Sequence, residues 1–307
     1  MLRGTARKLR RLSNCPPLAG VELGGTKCVV ILARGPDEIL GRESVPTTTP
    51  GETLDTVAEI LLGWQRERGL GALGIASFGP VCLNPNSPNW GHIVTTTKPG
   101  WSDTSIASRL GERLGVPVAF QTDVNGAALA EMRWGAGQGM RDFAYITVGT
   151  GVGVGLIVNG EPTRGFLHSE LGHIRVAQRA GDEWTGACPF HGACVEGLAS
   201  GPAIKARVAP RVIDELSNDD PVWDSVAWAI AQACHVIVCA AAPGSIAVGG
   251  GVLERQPHLL QRIEPLLVQS LGGYMRLPVE GGYVRAPALG SNAGPLGAIA
   301  LAMTVQP

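Results

Sequence analysis

The chain has 307 residues, of which 45% are hydrophobic and 17% are charged, and its formal net charge is -1. This composition is that of a globular protein with room for a large core and two domains, and it excludes a disordered chain. A charge so close to zero gives no reason to expect a nucleic-acid partner, and we predict none.

The cysteines and the apolar segments bear on the compartment. The seven cysteines are odd in number and, apart from the pairs 188/194 and 234/239, lie far apart, which is unlike a secreted disulfide framework, so we expect a cytoplasmic protein. Residues 1–17 are basic but lack the apolar stretch of a signal peptide. We interpret them as a flexible leader, with a transit segment as the alternative. The most apolar run, 226–251, is interrupted by polar residues and by Pro243-Gly244, which favours a buried helix and strand over a membrane span.

Two segments share one pattern of strand, glycine-threonine turn and strand. They cover residues 18–35 and 143–161, and helical patterns follow at 52–68 and at about 197–208. This repetition predicts two related α/β halves, each opening on a hairpin.

The material between and after the hairpins completes the predicted halves. We predict a strand at 73–81, a helix near 103–114, and a strand at 117–124 that runs into an alanine-rich helix. The tail at 291–304 is predicted to be a small-residue helix. The expected organisation is a leader at 1–17, a smaller N-terminal α/β domain at 18–122 with the C-terminal helix 291–307, and a larger C-terminal α/β domain at 123–290.

Three glycine clusters are candidates for nucleotide binding. Gly24-Gly25-Thr26-Lys27 joins two strands, so it fits neither a Walker loop nor a dinucleotide fingerprint, both of which lead into a helix. Most glycine hairpins are only turns, yet free amides, a hydroxyl and a lysine can hold phosphate. The second turn, Gly149-Thr150-Gly151, strengthens this interpretation, because two such turns can grip both ends of a polyphosphate. Gly249-Gly250-Gly251 ends a predicted strand, where a nucleotide can approach the backbone closely.

Asp123 lies where a predicted strand meets a helix, and two interpretations of it have equal weight. Aspartate is a favoured helix N-cap. A carboxylate at this position can equally face a cleft and take a proton from a substrate hydroxyl.

Four soft ligands form the strongest signal in the sequence: His173, Cys188, His191 and Cys194. A Cys₂His₂ set fills tetrahedral zinc and leaves no position for water, so it predicts a structural site. A disulfide between the two cysteines is the alternative, and it leaves both histidines unused. Glu170 and Glu196 lie close to the ligands in sequence, which suggests that the metal braces a polar pocket, and His168 has no assigned role.

Seven segments, in this order, resemble the ROK family of sugar kinases: GVELGGTK, SFGPV, QTDVNGAALAE, ITVGTGVGVGLIVNG, SELGHI, CPFHGACVEGLASGPAI and IAVGGGV. The resemblance runs from about Gly20 to Ala302, and CPFHGAC resembles the fructokinase branch. It implies a two-domain actin-like ATPase fold, related to ribonuclease H, with a cleft between the domains.

The resemblance also implies a role for each matching residue. Asp123 matches the catalytic base. The positions that match sugar-hydroxyl ligands are Asn125, Glu170, His173 and Glu196, with His173 also a metal ligand. The positions that match the nucleotide site are Gly25, Thr26 and Lys27 in the first turn, Gly149, Thr150 and Gly151 in the second, and Pro202, Gly249 and Gly250. Two positions depart from the common pattern: Glu22 replaces an aspartate, which bears on how Mg²⁺ is held, and Thr122 replaces an asparagine usual in glucose and hexosamine kinases.

The implied activity is ATP-dependent phosphorylation of a hexose, with D-fructose and its 6-hydroxyl preferred. Kinases for glucose, mannose or N-acetylmannosamine remain alternatives, as do a zinc hydrolase and a non-catalytic sugar sensor. ATP, Mg²⁺ and structural Zn²⁺ are the expected cofactors. We expect a homodimer without membrane partners.

Overall fold

The structure is a computed structural model that describes residues 15–278 and 282–306. Most of the predicted leader, residues 1–14, lies outside this range. The chain forms two compact units. The first unit takes the described residues up to Ala130, then Arg164–His168 and the residues from Asn292 onward. The second unit takes Glu131–Thr163 and Ser169–Ser291. The predicted domain division at Asp123 stays a prediction.

The first unit is built on a five-stranded sheet. Its strands are β1 (Leu18–Leu23), β2 (Lys27–Gly35), β3 (Glu38–Pro46), β4 (Leu73–Ser77) and β7 (Val118–Thr122). Their order across the sheet is β3-β2-β1-β4-β7; β2 is antiparallel to β1 and β3, whereas β4 is parallel to β1 and β7. A separate ribbon pairs β5 (His92–Ile93) with β6 (Thr104–Ser105). The parallel strands bring the carboxyl ends of β1, β4 and β7 to one edge.

Among the helices of the first unit, one begins at a clear capping signal and another packs through a small residue of the sheet. They are α1 (Pro50–Arg68), α2 (Ala107–Leu114), the start of α3 (Asp123–Trp134) and α9 (Ala293–Ala302). The Thr49 hydroxyl accepts the Glu52 amide and Pro50 occupies the first turn of α1. α9 lies so close to β4 that a Cβ on Gly74 would come 1.8 Å from the Ala298 carbonyl oxygen. Glycine at position 74 therefore allows the helix to reach the sheet.

The second unit repeats this plan with its own five-stranded sheet. Its strands are β8 (Phe143–Val148), β9 (Val152–Val158), β10 (Glu161–Pro162), β11 (Ile246–Gly249) and β12 (Val284–Arg285). Their order is β10-β9-β8-β11-β12; β9 is antiparallel to β8 and β10, and β11 is parallel to β8 and β12. Both sheets open on a hairpin and have the same order of parallel and antiparallel neighbours. The prediction of two related α/β halves is confirmed.

The helices of the second unit surround its own core. They are the end of α3, α4 (Val195–Ala199), α5 (Gly201–Val208), α6 (Pro221–Ala241), α7 (Gly251–Arg255) and α8 (His258–Leu271), with 3₁₀ turns at Leu171–His173 and Ile213–Glu215. A third 3₁₀ turn, Gly290–Asn292, spans the point where the chain passes from the second unit to the first. In the described ranges, α6 alone has the length and apolar composition of a membrane span, but 56% of its apolar stretch is buried. Its Trp223 and Ile230 are fully buried among core residues. The predicted buried helix is confirmed.

Several predicted boundaries differ from the observed ones. The strand predicted at 73–81 ends at Ser77, because Pro80 has no amide for the ladder. The helix predicted near 103–114 begins at Ala107, since Thr104–Ser105 pair as a strand. The helical stretch at 197–208 is two helices, separated at Ser200, whose extended backbone and hydroxyl cap begin the second one.

Candidate active site

The first glycine turn projects from the edge where β1 ends. The Gly24 amide donates to the Lys27 carbonyl at 3.0 Å and closes the turn. The Thr47 hydroxyl holds the Gly24 carbonyl at 2.8 Å, and Lys98 Nζ lies 2.6 Å from the Gly25 carbonyl. Gly25, Thr26 and Lys27 are exposed, and the amides of Gly25 and Thr26 donate to nothing in the described part of the chain. An exposed turn with two amides of this kind and a lysine can bind phosphate oxygens.

Asp123 is the first residue of α3, directly after β7. The Thr122 hydroxyl accepts the Asn125 amide at 3.2 Å, which is the hydrogen bond of a helix N-cap. The carboxylate of Asp123 accepts the amide of its neighbour Val124 at 2.9 Å. Thr122 therefore provides the N-cap hydrogen bond of α3. This removes the main support for the interpretation of Asp123 as the N-cap.

Glu22 is the second carboxylate at this edge. It lies on β1 beside the first turn of α9, where a Cβ on Gly294 would come 1.9 Å from Glu22 Oε1. Burial, and then the negative charge of Asp123, raise the pKa of Glu22 to about 7, against smaller opposing effects of Lys27 and Arg42. The two carboxylates therefore interact electrostatically.

Asn125 lies on the first turn of α3 with 1% of its surface exposed. Its Nδ2 donates to Gln121 Oε1 at 3.1 Å. Its Oδ1 is buried and accepts no hydrogen bond from the described residues. Buried acceptors normally accept a hydrogen bond, so Asn125 Oδ1 has the capacity to accept one from a bound water or from a ligand hydroxyl.

The nucleotide residues predicted for the second unit meet at the carboxyl ends of β8 and β11. β8 leads into Gly149-Thr150-Gly151, where the Gly149 amide donates to the Gly151 carbonyl at 2.9 Å. β11 pairs with β8 up to Gly249 and Thr147, so the third glycine cluster lies beside this turn. Gly250 has φ of 92°, and a Cβ there would lie 2.6 Å from the Val148 backbone. Pro202 follows Gly201, whose amide donates to the Gly149 carbonyl at 2.8 Å.

The four predicted metal ligands converge in the second unit. Their ligand atoms all lie within 4.8 Å of one another: one nitrogen each from His173 and His191, and the sulfurs of Cys188 and Cys194. His173 Nδ1 is 3.7 Å from Cys188 Sγ and 3.8 Å from Cys194 Sγ. Tetrahedral zinc with ordinary bond lengths requires about 3.6 Å between a sulfur and a nitrogen ligand. The set fits a four-coordinate structural zinc.

The thiol chemistry agrees with a metal site. Every cysteine in the described residues is free, so no disulfide joins Cys188 to Cys194. Burial raises the pKa of Cys194 to about 11. Because zinc binds the thiolate, loading the site must release protons.

The predicted sugar ligands of the second unit occupy two different environments. Glu196 is half-buried, and its Oε1 lies 3.9 Å from His173 Nε2. Its Oε2 accepts the Val152 amide at 3.1 Å, a contact with the second turn that the sequence did not indicate. Glu170 is exposed and precedes the 3₁₀ turn that carries His173.

His168, left without a role by the sequence, is a buried residue of the first unit. Its Nε2 accepts the Val81 amide at 3.0 Å, and a Cβ on Gly79 would lie 3.2 Å from the same nitrogen. The loop at 78–81 also donates the Phe78 amide to the Leu23 carbonyl at 2.8 Å, just before the first glycine turn. His168 therefore anchors a loop that lies beside the edge where β1 ends.

Comparison with known proteins gives these two units a family context. A model described as the ROK family matches residues 18–305. A fructokinase from Pediococcus pentosaceus is 38% identical over 285 residues, which cover 93% of this chain and 97% of that protein. A fructokinase from Lactococcus lactis subsp. cremoris is 39% identical over 276 residues, which cover 89% of this chain and 91% of that protein.

A solved structure extends the likeness to three dimensions. The ROK family glucokinase from Streptomyces griseus, in complex with glucose and AMPPNP, matches with a TM-score of 0.74 at 27% identity, covering 94% of this chain and 99% of that one. The predicted two-domain actin-like α/β fold is confirmed.

Proposed function

Since this chain belongs to the ROK family and is an ATP-dependent sugar kinase, we propose that it phosphorylates D-fructose at the 6-hydroxyl, with Asp123 as general base. Its substrates are a sugar and ATP, and ATP carries Mg²⁺. The Cys₂His₂ cluster serves as a structural zinc site.

The observation that supports a catalytic role for Asp123 is that its neighbour Thr122 caps α3. Thr122 provides the N-cap, so the helix does not depend on the Asp123 carboxylate for capping. Asp123 then has the position of a proton acceptor at the edge that carries the first glycine turn. The raised pKa of Glu22 fits a pair of carboxylates at this edge with different tasks.

The reaction transfers one phosphoryl group. The sugar hydroxyl loses its proton to Asp123 Oδ as its oxygen bonds to the γ-phosphorus, and the bond to the bridging oxygen of ADP breaks. Asn125, Glu170, His173 and Glu196 orient the sugar. The two glycine turns hold phosphate oxygens through backbone amides, with Lys27 contributing positive charge. Glu22 would be the carboxylate available to help hold Mg²⁺, which would neutralise phosphate charge when bound with ATP.

Fructose is preferred over glucose on two grounds. Both fructokinases are 38% to 39% identical to this chain, whereas the glucokinase structure is 27% identical. Thr122 before the base also departs from the asparagine usual in glucose kinases. A glucose, mannose or N-acetylmannosamine kinase is the second candidate, since such enzymes differ in the shape of the sugar pocket.

A panel of sugars with ATP tests the assignment. Fructose should give the highest kcat/KM for ADP release, and the product should carry its phosphate on the oxygen of carbon 6 by NMR. A higher kcat/KM with glucose or an aminosugar would move the assignment to that sugar. Sugar binding without ADP release would identify a sensor and refute the kinase.

Cytoplasmic location and assembly as a homodimer belong to the same proposal. The second unit exposes 66% of Phe190 and 94% of Tyr274, which are apolar surfaces that a second copy can cover. Light scattering during size-exclusion chromatography should give twice the chain mass of 31.9 kDa.

A further inference from the structure

The segment from Cys194 to Gly201 holds the second glycine turn from two sides. Glu196 Oε2 accepts the Val152 amide at 3.1 Å on one side of the turn. The Gly201 amide donates to the Gly149 carbonyl at 2.8 Å on the other side. The segment begins with a metal ligand, because Cys194 caps α4 and its Sγ accepts the Gly197 amide at 3.3 Å.

The packing around the turn leaves little space for independent movement. A Cβ on Gly151 would come 2.6 Å from Glu196 Oε2. A Cβ on Gly172 would come 1.8 Å from the Val152 carbonyl oxygen. Val152 is therefore enclosed by Glu196 and by the backbone at Gly172, and each of these is one or two residues from a metal ligand.

His173 is the metal ligand whose ring lies next to Glu196. Its Nδ1 faces both cysteine sulfurs, whereas its Nε2 faces Glu196 Oε1 at 3.9 Å. A histidine that binds metal through Nδ1 carries its proton on Nε2, so Glu196 faces the protonated side of the ring at a distance too long for a direct hydrogen bond. Glu196 thus lies between a metal ligand and the amide of the second turn.

We propose that the metal-ligand cluster positions the second glycine turn for nucleotide binding, with Glu196 as the positioning residue that links them. The inference rests on the proposed function only in taking residues 149–151 as a phosphate turn. It means that loss of the cluster weakens nucleotide binding even when no sugar is present.

Calorimetric titration of the purified protein with ADP and Mg²⁺, without sugar, tests the inference. Glu196→Ala should raise the Kd for ADP about tenfold, as expected for a lost hydrogen bond to a charged acceptor. Glu196→Gln should stay within about threefold of wild type, because its side-chain oxygen can still accept the Val152 amide. Cys188→Ser should raise the Kd about as much as Glu196→Ala and should lower the bound metal. Glu215→Ala, an exposed carboxylate of the same unit, serves as the control.

Gly172→Ala provides a second test that substitutes neither a metal ligand nor Glu196. Its Cβ would push against Val152, so it should also weaken ADP binding, while circular dichroism and metal content report whether the fold survives. An unchanged Kd in Glu196→Ala with full metal content overturns the inference, and so does an equal loss in Glu196→Gln. A wild-type protein that does not bind ADP would instead refute the proposed function.

Discussion

Glu22→Gln should make stability less dependent on pH. The pKa of this carboxyl group rises from its usual 4.5 to about 7 in the folded protein, first through burial and second through the charge of Asp123. Below pH 4.5 both folded and unfolded chains carry a protonated Glu22, so the shift has no effect. Between pH 4.5 and 7 the unfolded chain releases the proton more readily, and the free energy of unfolding falls. Above pH 7 the loss is complete.

The size of the effect follows from the shift. Each pKa unit corresponds to about 1.36 kcal/mol, so a group moved from 4.5 to about 7 destabilises the folded state by about 3 kcal/mol at pH 8. Glutamine has the same shape and does not titrate. Relative to wild type, Glu22→Gln should therefore gain about 3 kcal/mol between pH 4 and pH 8.

Urea unfolding of both proteins at a series of pH values, without nucleotide or Mg²⁺, measures this gain. Comparing differences removes any constant cost of the substitution itself. Glu43→Gln, an exposed carboxylate on β3, controls for the change in net charge. A difference between Glu22→Gln and wild type that stays level from pH 4 to pH 8 would show that burial does not hold the proton on Glu22.

Two further predictions concern the metal cluster and the His168 anchor. Purified protein should contain about one zinc per chain. Cys188→Ser should lower the melting temperature and the sugar affinity together, because the free energy of metal binding contributes to the folding of the loop that carries the ligands. Metal-free protein with full stability would contradict this. His168→Phe should lower the free energy of unfolding by about 1–3 kcal/mol, because the buried Val81 amide loses its acceptor, whereas His168→Gln keeps an acceptor and should restore much of the stability. Equal unfolding free energies in urea for both variants and wild type would remove the anchoring role.

Short-range features of the site were open to prediction from sequence. Each glycine turn consists of a few consecutive residues, so its amino-acid composition alone indicates a turn. Three of the four predicted metal ligands fall within seven residues, and the structure brings all four ligand atoms together. The four ligand atoms converge because the loop between His173 and Cys194 folds back, so that its first ligand meets the other three.

Other features depend on residues that are distant in sequence. Glu196 meets Val152 across 44 positions, and His168 meets Val81 across 87. Glu131, fully buried, accepts the Leu289 amide across 158 positions. No local pattern indicates which amide a carboxylate or imidazole will reach, because tertiary packing decides it.

The start of α3 shows an ambiguity of a single residue. Thr122 and Asp123 are adjacent, and both are good N-cap residues, so sequence alone offers no basis for choosing the cap between them. The hydrogen bond from the Asn125 amide to the Thr122 hydroxyl selects the threonine. The role of Asp123 then becomes a question for kinetics.

The most direct test of the account is the turnover of Asp123→Asn with fructose and ATP. The substitution keeps the shape and removes the proton acceptor, so kcat should fall about a hundredfold to ten-thousandfold. The Kd for ATP should change little, since the glycine turns are intact. Thr122→Ala is the matched control: it should lower stability by about 1 kcal/mol through loss of the cap and retain most of its turnover. Near wild-type turnover in Asp123→Asn would contradict the proposed mechanism.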